Sequence, residues 1–76
     1  MSTIIYCTRK EEYQGKYIVI DFYEGTEVLV QGVTLKNAKK AKDTRFEDTD
    51  GECDVEIFRM VYNPSYCGRL VVVESY

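Results

Sequence analysis

The stretch from Thr34 to Phe46 most constrains the fold, because it is the one convincing helical pattern in a chain that otherwise consists of strand-like runs. Its apolar positions recur at helical spacing, while lysines fill most of the remaining surface. The stripe consists of Leu35, Ala38 and Ala41, continued by Arg45 or Phe46. A helix this short is marginal alone. We therefore expect it to pack through a narrow face against a sheet.

The ends of this helix carry signals of different strength. Thr34 precedes the first apolar position, and its hydroxyl can accept a hydrogen bond from a free backbone N–H, so we predict that it is the N-cap. The C-terminal signal is weaker, since Asp43 and Thr44 only lower helix propensity. The sequence predicts an end between Asp43 and Phe46.

Apolar and β-branched runs on both sides of the helix predict strands. They are Thr3–Thr8, Lys16–Phe22 and Thr26–Gln31 before the helix, and Val55–Tyr62 and Leu70–Val73 after it. With only 76 residues, the chain is expected to be a single domain, 1–76. The predicted class is α+β: an antiparallel sheet of about five strands with one helix packed on one face, in the order strand-strand-strand-helix-strand-strand. Leu70–Val73 is a continuous apolar run, which favours a central position or two covered faces.

The turn between the second and third predicted strands sets which side chains share a face. A two-residue turn, Glu24–Gly25, would place Ile20 opposite Leu29. A three-residue loop with Gly25 in the left-handed conformation instead pairs Ile20 with Val28 and Ile18 with Val30, which gathers the β-branched residues on one face. We favour the three-residue loop. The opposite face would then be covered by the C-terminal segment or available to a partner; it carries Tyr17, Val19, Tyr23 and Leu29.

The segment after the helix is acidic. Glu47–Asp54 reads as a loop with a turn at Asp50–Gly51, but the ligand order of a calcium loop is incomplete, so we predict no calcium site. In the following strand, alternation slips between Ile57 and Phe58, which predicts a bulge or two-sided burial. Asn63–Gly68 is predicted to be a turn.

The residue types present argue against most chemistry. The chain has no histidine and three cysteines, Cys7, Cys53 and Cys67, so Ser-His and Cys-His catalysis is excluded and a zinc site would lack its fourth ligand. We expect reduced cysteines, no metal, no cofactor and no enzymatic activity. No apolar run is long enough to span a bilayer, and no signal peptide is visible, so we expect no membrane partner and a cytoplasmic location in the host cell.

Charge is divided between the two parts of the chain. The net charge is +2 through Phe46 and −5 from Glu47 onward, for a total of −3. Such asymmetry is found at surfaces that meet a charged partner, although a solvated helix face followed by an acidic loop is the more common explanation. The basic residues of the helix are Lys36, Lys39, Lys40, Lys42 and Arg45.

The element order, together with Thr34-Leu35, Ala38-Lys39 and Ala41 opening the helix after a strand, resembles small phage-encoded inhibitors. These include several anti-CRISPR proteins and the small phage inhibitors of bacterial RNA polymerase. The resemblance covers about residues 27–76. It implies a non-catalytic inhibitor that blocks a nucleic-acid-handling host machine, either a protein or a ribonucleoprotein such as a CRISPR surveillance complex.

Three functional hypotheses follow. The first is a protein-binding inhibitor whose contact residues are the basic residues of the helix, with Tyr17 and Tyr23 supplying contact area at little entropic cost. In this hypothesis the acidic run Glu47–Glu56 could also imitate phosphates. The alternative is a direct nucleic-acid binder that uses the basic helix 34–46, against which the negative net charge counts. The third, an accessory subunit of a larger assembly, has no discriminating residue.

Overall fold

A computed structural model describes residues 7–8, 11–63 and 69–75, with side chains described for residues 12–61. The predicted class is confirmed, since the chain is α+β with an antiparallel sheet and one α-helix. The elements are β1 (Cys7–Thr8), a 3-10 turn (Glu11–Tyr13), β2 (Tyr17–Asp21), β3 (Glu27–Val33), α1 (Leu35–Asp48), β4 (Val55–Asn63) and β5 (Arg69–Ser75). Residues 3–6 of the first predicted strand and residues 64–68 of the predicted turn lie outside the described residues.

The strands are arranged in the order β1-β5-β4-β2-β3, and every neighbouring pair is antiparallel. β4 occupies the centre, and β5 lies inside the sheet between β4 and β1, as its continuous apolar run predicts. β3 forms one edge, and α1 follows it directly. The helix therefore returns along the sheet, where it packs on β2, β4 and β3.

The helix begins as predicted and ends later than predicted. The Thr34 hydroxyl accepts a hydrogen bond of 3.3 Å from the Asn37 amide, which confirms Thr34 as the N-cap. The end predicted between Asp43 and Phe46 is wrong, since α1 continues to Asp48. Thr49 closes the helix by donating its backbone N–H and its hydroxyl to the Arg45 carbonyl, at 3.0 and 2.7 Å. Tertiary contacts of Arg45, described below, outweigh the low propensity of the preceding residues.

Apolar side chains are buried on both faces of the sheet. On the helix side, Val19, Ala38, Val55 and Ile57 form a buried cluster, which we call the helix-side cluster. On the opposite side, a second cluster consists of Ile18, Ile20, Phe58 and Met60, with Tyr13 and Phe22 packed against it. We call this the outer cluster. The face of β2 that we expected the C-terminal segment or a partner to cover is instead covered by α1, since Val19 packs with Ala38.

The hairpin register is partly as predicted. Ile20 pairs with Val28, and Gly25 has φ of +111°, so both features of the predicted loop are confirmed. The pairing of Ile18 with Val30 is wrong, because β3 contains an extra residue at Leu29 and Val30 therefore lies opposite Val19. This bulge sends Leu29 and Val30 together to the helix-side cluster, whereas strict alternation would have left Val30 with Val28.

β4 shows the predicted two-sided burial. Ile57 belongs to the helix-side cluster and the adjacent Phe58 to the outer cluster, with exposures of only 6% each. Phe58 meets Phe22 edge to face, with ring centroids 6.1 Å apart. A register shift against β5 also follows, between Arg59 and Met60. α1, the only α-helix among the described residues, lacks the length and apolar character needed to cross a membrane.

Candidate functional site

The side of α1 that faces away from the sheet is an exposed, charged surface. At 100° per residue, five residues project within one sector of the helix, and all five are exposed. We call this sector the outer face of α1; it consists of Lys36, Lys39, Lys40, Asp43 and Glu47. Lys42 is also exposed but lies on the flank that points away from β3. The helix thus brings three of the four predicted lysines together on one face.

Several charges of α1 run against its macrodipole, although Arg45 in the last turn is favourably placed. Lys36 lies in the first turn, which contains no acidic residue, and Glu47 and Asp48 lie in the last turn. Cations near a helix N-terminus and anions near a C-terminus each cost stability, typically about 0.3–1 kcal/mol. Lys36 and Lys40 are in addition four residues apart and repel each other. The positions of Lys36, Glu47 and Asp48 therefore do not favour the helix, which points to a role outside the fold.

Arg45 behaves differently from the lysines. Its side chain is one-quarter exposed and lies along the sheet, where Nη2 donates to Glu27 Oε2 at 2.5 Å and Nε lies 3.7 Å from Asp21 Oδ2. The Glu27 side chain is 64% exposed, so this pair contributes at most about 1 kcal/mol. Arg45 was predicted to contact a partner, but in the structure its side chain lies against the sheet and continues the apolar stripe of α1. Phe46, the other residue predicted to continue the stripe, is 59% exposed.

Asp21 connects three parts of the chain. Its Oδ1 accepts hydrogen bonds of 3.0 Å from the backbone amides of Tyr23 and Asp54, and Oδ2 faces Arg45. The amide of Asp54, then that of Tyr23, and then the Arg45 guanidinium lower the pKa of Asp21, against the opposing effect of burial. The residue is only 7% exposed. Asp21 therefore ties the β2–β3 turn and the segment entering β4 to the end of α1, a role that its place in a predicted strand did not reveal.

A polar cleft of about 580 Å³ opens beside Asp21. It is lined mainly by the β2–β3 turn and the end of α1: Asp21, Tyr23, Glu24, Gly25, Thr26, Glu27, Arg45, Thr49 and Glu52. Arg45, the basic residue of this lining, forms ion pairs with Asp21 and Glu27. Every buried polar side-chain atom among the described residues has a hydrogen-bond partner. The described side chains of the cleft therefore include no buried polar group that lacks a partner and could bind a ligand.

The two tyrosines predicted to contact a partner lie at opposite ends of β2. Tyr17 is half-buried and packs against the helix-side cluster, which leaves it little surface to offer. Tyr23 is 51% exposed and lines the polar cleft. Tyr23 lines the cleft beside Arg45 and Thr49, at the C-terminal end of α1, whereas Lys36 lies near its N-terminus. Because α1 is about 21 Å long, Tyr23 and Lys36 lie far apart.

A groove runs between β3 and the adjacent flank of α1. Its volume is about 500 Å³; Val28, Leu29 and Val30 form the strand side, and the helix side consists of Asn37, Lys40, Ala41, Thr44, Arg45 and Asp48, with Glu27 at one end. Val28 is 39% exposed, and Leu29 and Val30 are half-buried. We call this the β3–α1 groove. Sequence reasoning missed it because the bulge at Leu29 was not foreseen.

The acidic residues after the helix are dispersed. Glu47 and Asp48 belong to α1, and Asp50 and Gly51 form the predicted turn, both with positive φ. Among the described residues, no three acidic or cysteine side chains are grouped so that they could hold a metal ion. Cys53 is a free, half-buried thiol packed against the helix-side cluster, while the side chains of Cys7 and Cys67 lie outside those described.

Comparison of the chain with protein-family models, with curated proteins and with solved structures finds no match.

Proposed function

We propose that this protein is a non-catalytic binding protein that grips a protein partner through the outer face of α1. The observation that carries the proposal is the mixed charge of that face. Lys36, Lys39 and Lys40 are followed along the same exposed sector by Asp43 and Glu47. Such a face fits a protein surface that carries both signs of charge.

The resemblance to small phage-encoded inhibitors supplies the identity of the partner in this proposal. The protein is then a phage-encoded inhibitor, and its target is a host complex that handles nucleic acid, such as a CRISPR surveillance complex. Blocking such a complex requires occupation of a surface and no chemistry, which agrees with the absence of histidine from the chain. The cytoplasm of the host cell is the corresponding location.

Direct binding of DNA or RNA is the second candidate, and the cluster of exposed lysines favours it. Lys36, Lys39 and Lys40 lie together on the outer face of α1, and Lys42 lies on the adjoining flank. Phosphates would, however, meet Asp43 and Glu47 on the same face, and the whole chain carries a net charge of −3. We therefore rank this function below protein binding.

The test compares two pairs of substitutions that remove the same charge. Lys36→Gln with Lys39→Gln changes the outer face of α1, and Lys16→Gln with Arg59→Gln changes charge elsewhere. Each tagged variant is used to capture partners from lysate of a bacterial host. We expect a host nucleic-acid-handling complex to be captured by the wild type and by the Lys16/Arg59 variant, with much less captured by the Lys36/Lys39 variant.

A gel-shift titration of the isolated chain with DNA and RNA separates the two candidates. Protein binding predicts little affinity for either nucleic acid. A tight complex that weakens steeply with salt, and that the Lys36/Lys39 variant loses, would contradict the proposal and support direct nucleic-acid binding, because phosphate contacts release counterions.

A further inference from the structure

The free edge of β3 has no pairing partner among the described strands. β2 pairs with its inner side, and its outer side ends the sheet. Residues 27–33 include neither lysine nor proline, the two residue types that most often block pairing at a sheet edge. The bulges at Leu29 and Gly32 limit how long a regular ladder can be, but they leave backbone groups exposed along the strand.

The β3–α1 groove beside this edge has an ordered charge pattern. Lys40 lies toward the beginning of the helix, and Asp48 lies at its end, with Thr44 between them. The helix thus places a cation and an anion at equal distances from Thr44. Rotation by 180° about an axis through the groove at Thr44 exchanges the positions of the cation and the anion.

From this self-complementarity we infer that the β3 edge and the β3–α1 groove bind a second copy of this chain in a two-fold symmetric dimer. The two β3 strands run antiparallel across the axis and extend the sheet. The two helices lie antiparallel on the same side of that sheet. Lys40 of each copy then faces Asp48 of the other, so that both ion pairs form at once. A partner with a single sign of charge would satisfy only one half of the groove.

The spacing of the layers agrees with this arrangement. α1 packs on β4, β2 and β3, so its axis lies close to β2. With strands about 4.8 Å apart, the helices of the two copies would lie about 14 Å apart across the β3 pair, a gap that a lysine and an aspartate can bridge. Leu29 and Val30, which line the groove and pack against the helix-side cluster, would lie beneath this gap.

The interface would be small. One strand and one flank of a helix bury in total about 1,000 Å², the lower limit for a specific interface, so the dimer is expected to be weak and concentration-dependent. It leaves Lys36, Lys39 and Lys42 accessible. Lys40 belongs both to this interface and to the outer face of α1, but the capture test of the proposed function changes only Lys36 and Lys39, so either can fail without the other.

Sedimentation velocity over a range of about 5–500 µM tests the dimer directly. We expect reversible dimerisation of the wild type with a dissociation constant in this range. Lys40→Glu or Asp48→Lys alone should raise the dissociation constant about tenfold or more, because two ion pairs become two repulsions. Combination of the two substitutions should restore it to within about threefold of the wild type, since the charges are exchanged and the attraction returns.

Two further variants serve as control and as a second probe. Lys42→Glu makes the same charge change on the flank away from β3 and should leave the dissociation constant unchanged. Thr44→Arg places two like charges and extra bulk at the axis and should abolish the dimer, while circular dichroism verifies that this exposed site tolerates the change. A chain that stays monomeric throughout, or a dimer that Lys40→Glu weakens no more than Lys42→Glu, would overturn the inference. Loss of the host partner from a monomeric Thr44→Arg variant would likewise overturn it, since the groove would then belong to that partner.

Discussion

Arg45 Nε lies 3.7 Å from Asp21 Oδ2, and this contact joins the last turn of α1 to the end of β2. The carboxylate also accepts two backbone hydrogen bonds, from Tyr23 and Asp54. Strand, turn, helix and the segment entering β4 therefore converge on one buried side chain. Its substitution affects the fold in several places at once.

Asp21 should make stability depend on acid pH. The pKa of Asp21 is lowered in the folded state, so its contribution is fully present above the ordinary aspartate pKa of about 3.8 and is lost as pH falls through the folded-state value. We expect Asp21→Asn, measured by urea denaturation, to cost stability at pH 7 and progressively less below pH 4. Asp21→Ala should cost more than Asp21→Asn at both pH values, since it also leaves two backbone amides unpaired. Equal losses at all pH values would contradict this role.

Gly25→Ala should destabilise the protein by about 1 kcal/mol. Gly25 has φ of +111°, a conformation that alanine adopts only with strain, although an added Cβ would have open space around it. Thermal unfolding measures the effect, and Thr26→Ala at the exposed neighbouring position is the control. An unchanged melting temperature would show that the β2–β3 turn relaxes around the substitution.

Gly32→Ala should destabilise more than Gly25→Ala, by about 2 kcal/mol or more. Gly32 also has positive φ, and a Cβ there would overlap the ring of Tyr13, which packs against the outer cluster. Chemical denaturation of Gly32→Ala, of Tyr13→Leu and of the double variant forms a double-mutant cycle. We expect the two losses to be less than additive, because the smaller leucine relieves part of the overlap. Strict additivity would argue that Tyr13 and Gly32 do not constrain each other.

Lys36→Glu should raise stability and lower partner binding. A carboxylate in the first turn of α1 interacts favourably with the helix dipole and removes repulsion from Lys40, so we expect a gain of about 0.3–1 kcal/mol. Lys42→Glu, farther from the helix N-terminus, is expected to stabilise less. Denaturation and capture of the partner are measured on the same samples. A variant that gains stability and keeps full binding would remove Lys36 from the proposed contact surface.

Local physics was sufficient for part of the architecture. The Thr34 cap, the apolar positions of the helix, the positive φ of Gly25 and the pairing of Ile20 with Val28 are settled by residues close in sequence, and each was predicted. The clustering of the lysines on the exposed side of α1 follows from the same helical period. These features depend on spacing and on local backbone preference, which a sequence displays directly.

Tertiary structure decided which surfaces remain available. The bulge at Leu29 arises from pairing with β2 and turns Val30 toward the helix, so alternation along β3 alone misplaced it. The burial of Tyr17 and the ion pair between Arg45 and Asp21 depend on contacts between segments that are distant along the chain. By itself the sequence determined the elements and the charges they carry. The packing of those elements determined which charged side chains form ion pairs within the fold and which remain exposed to solvent. A lysine or an arginine can do either, and the outcome depends on the residues that surround it in the folded chain.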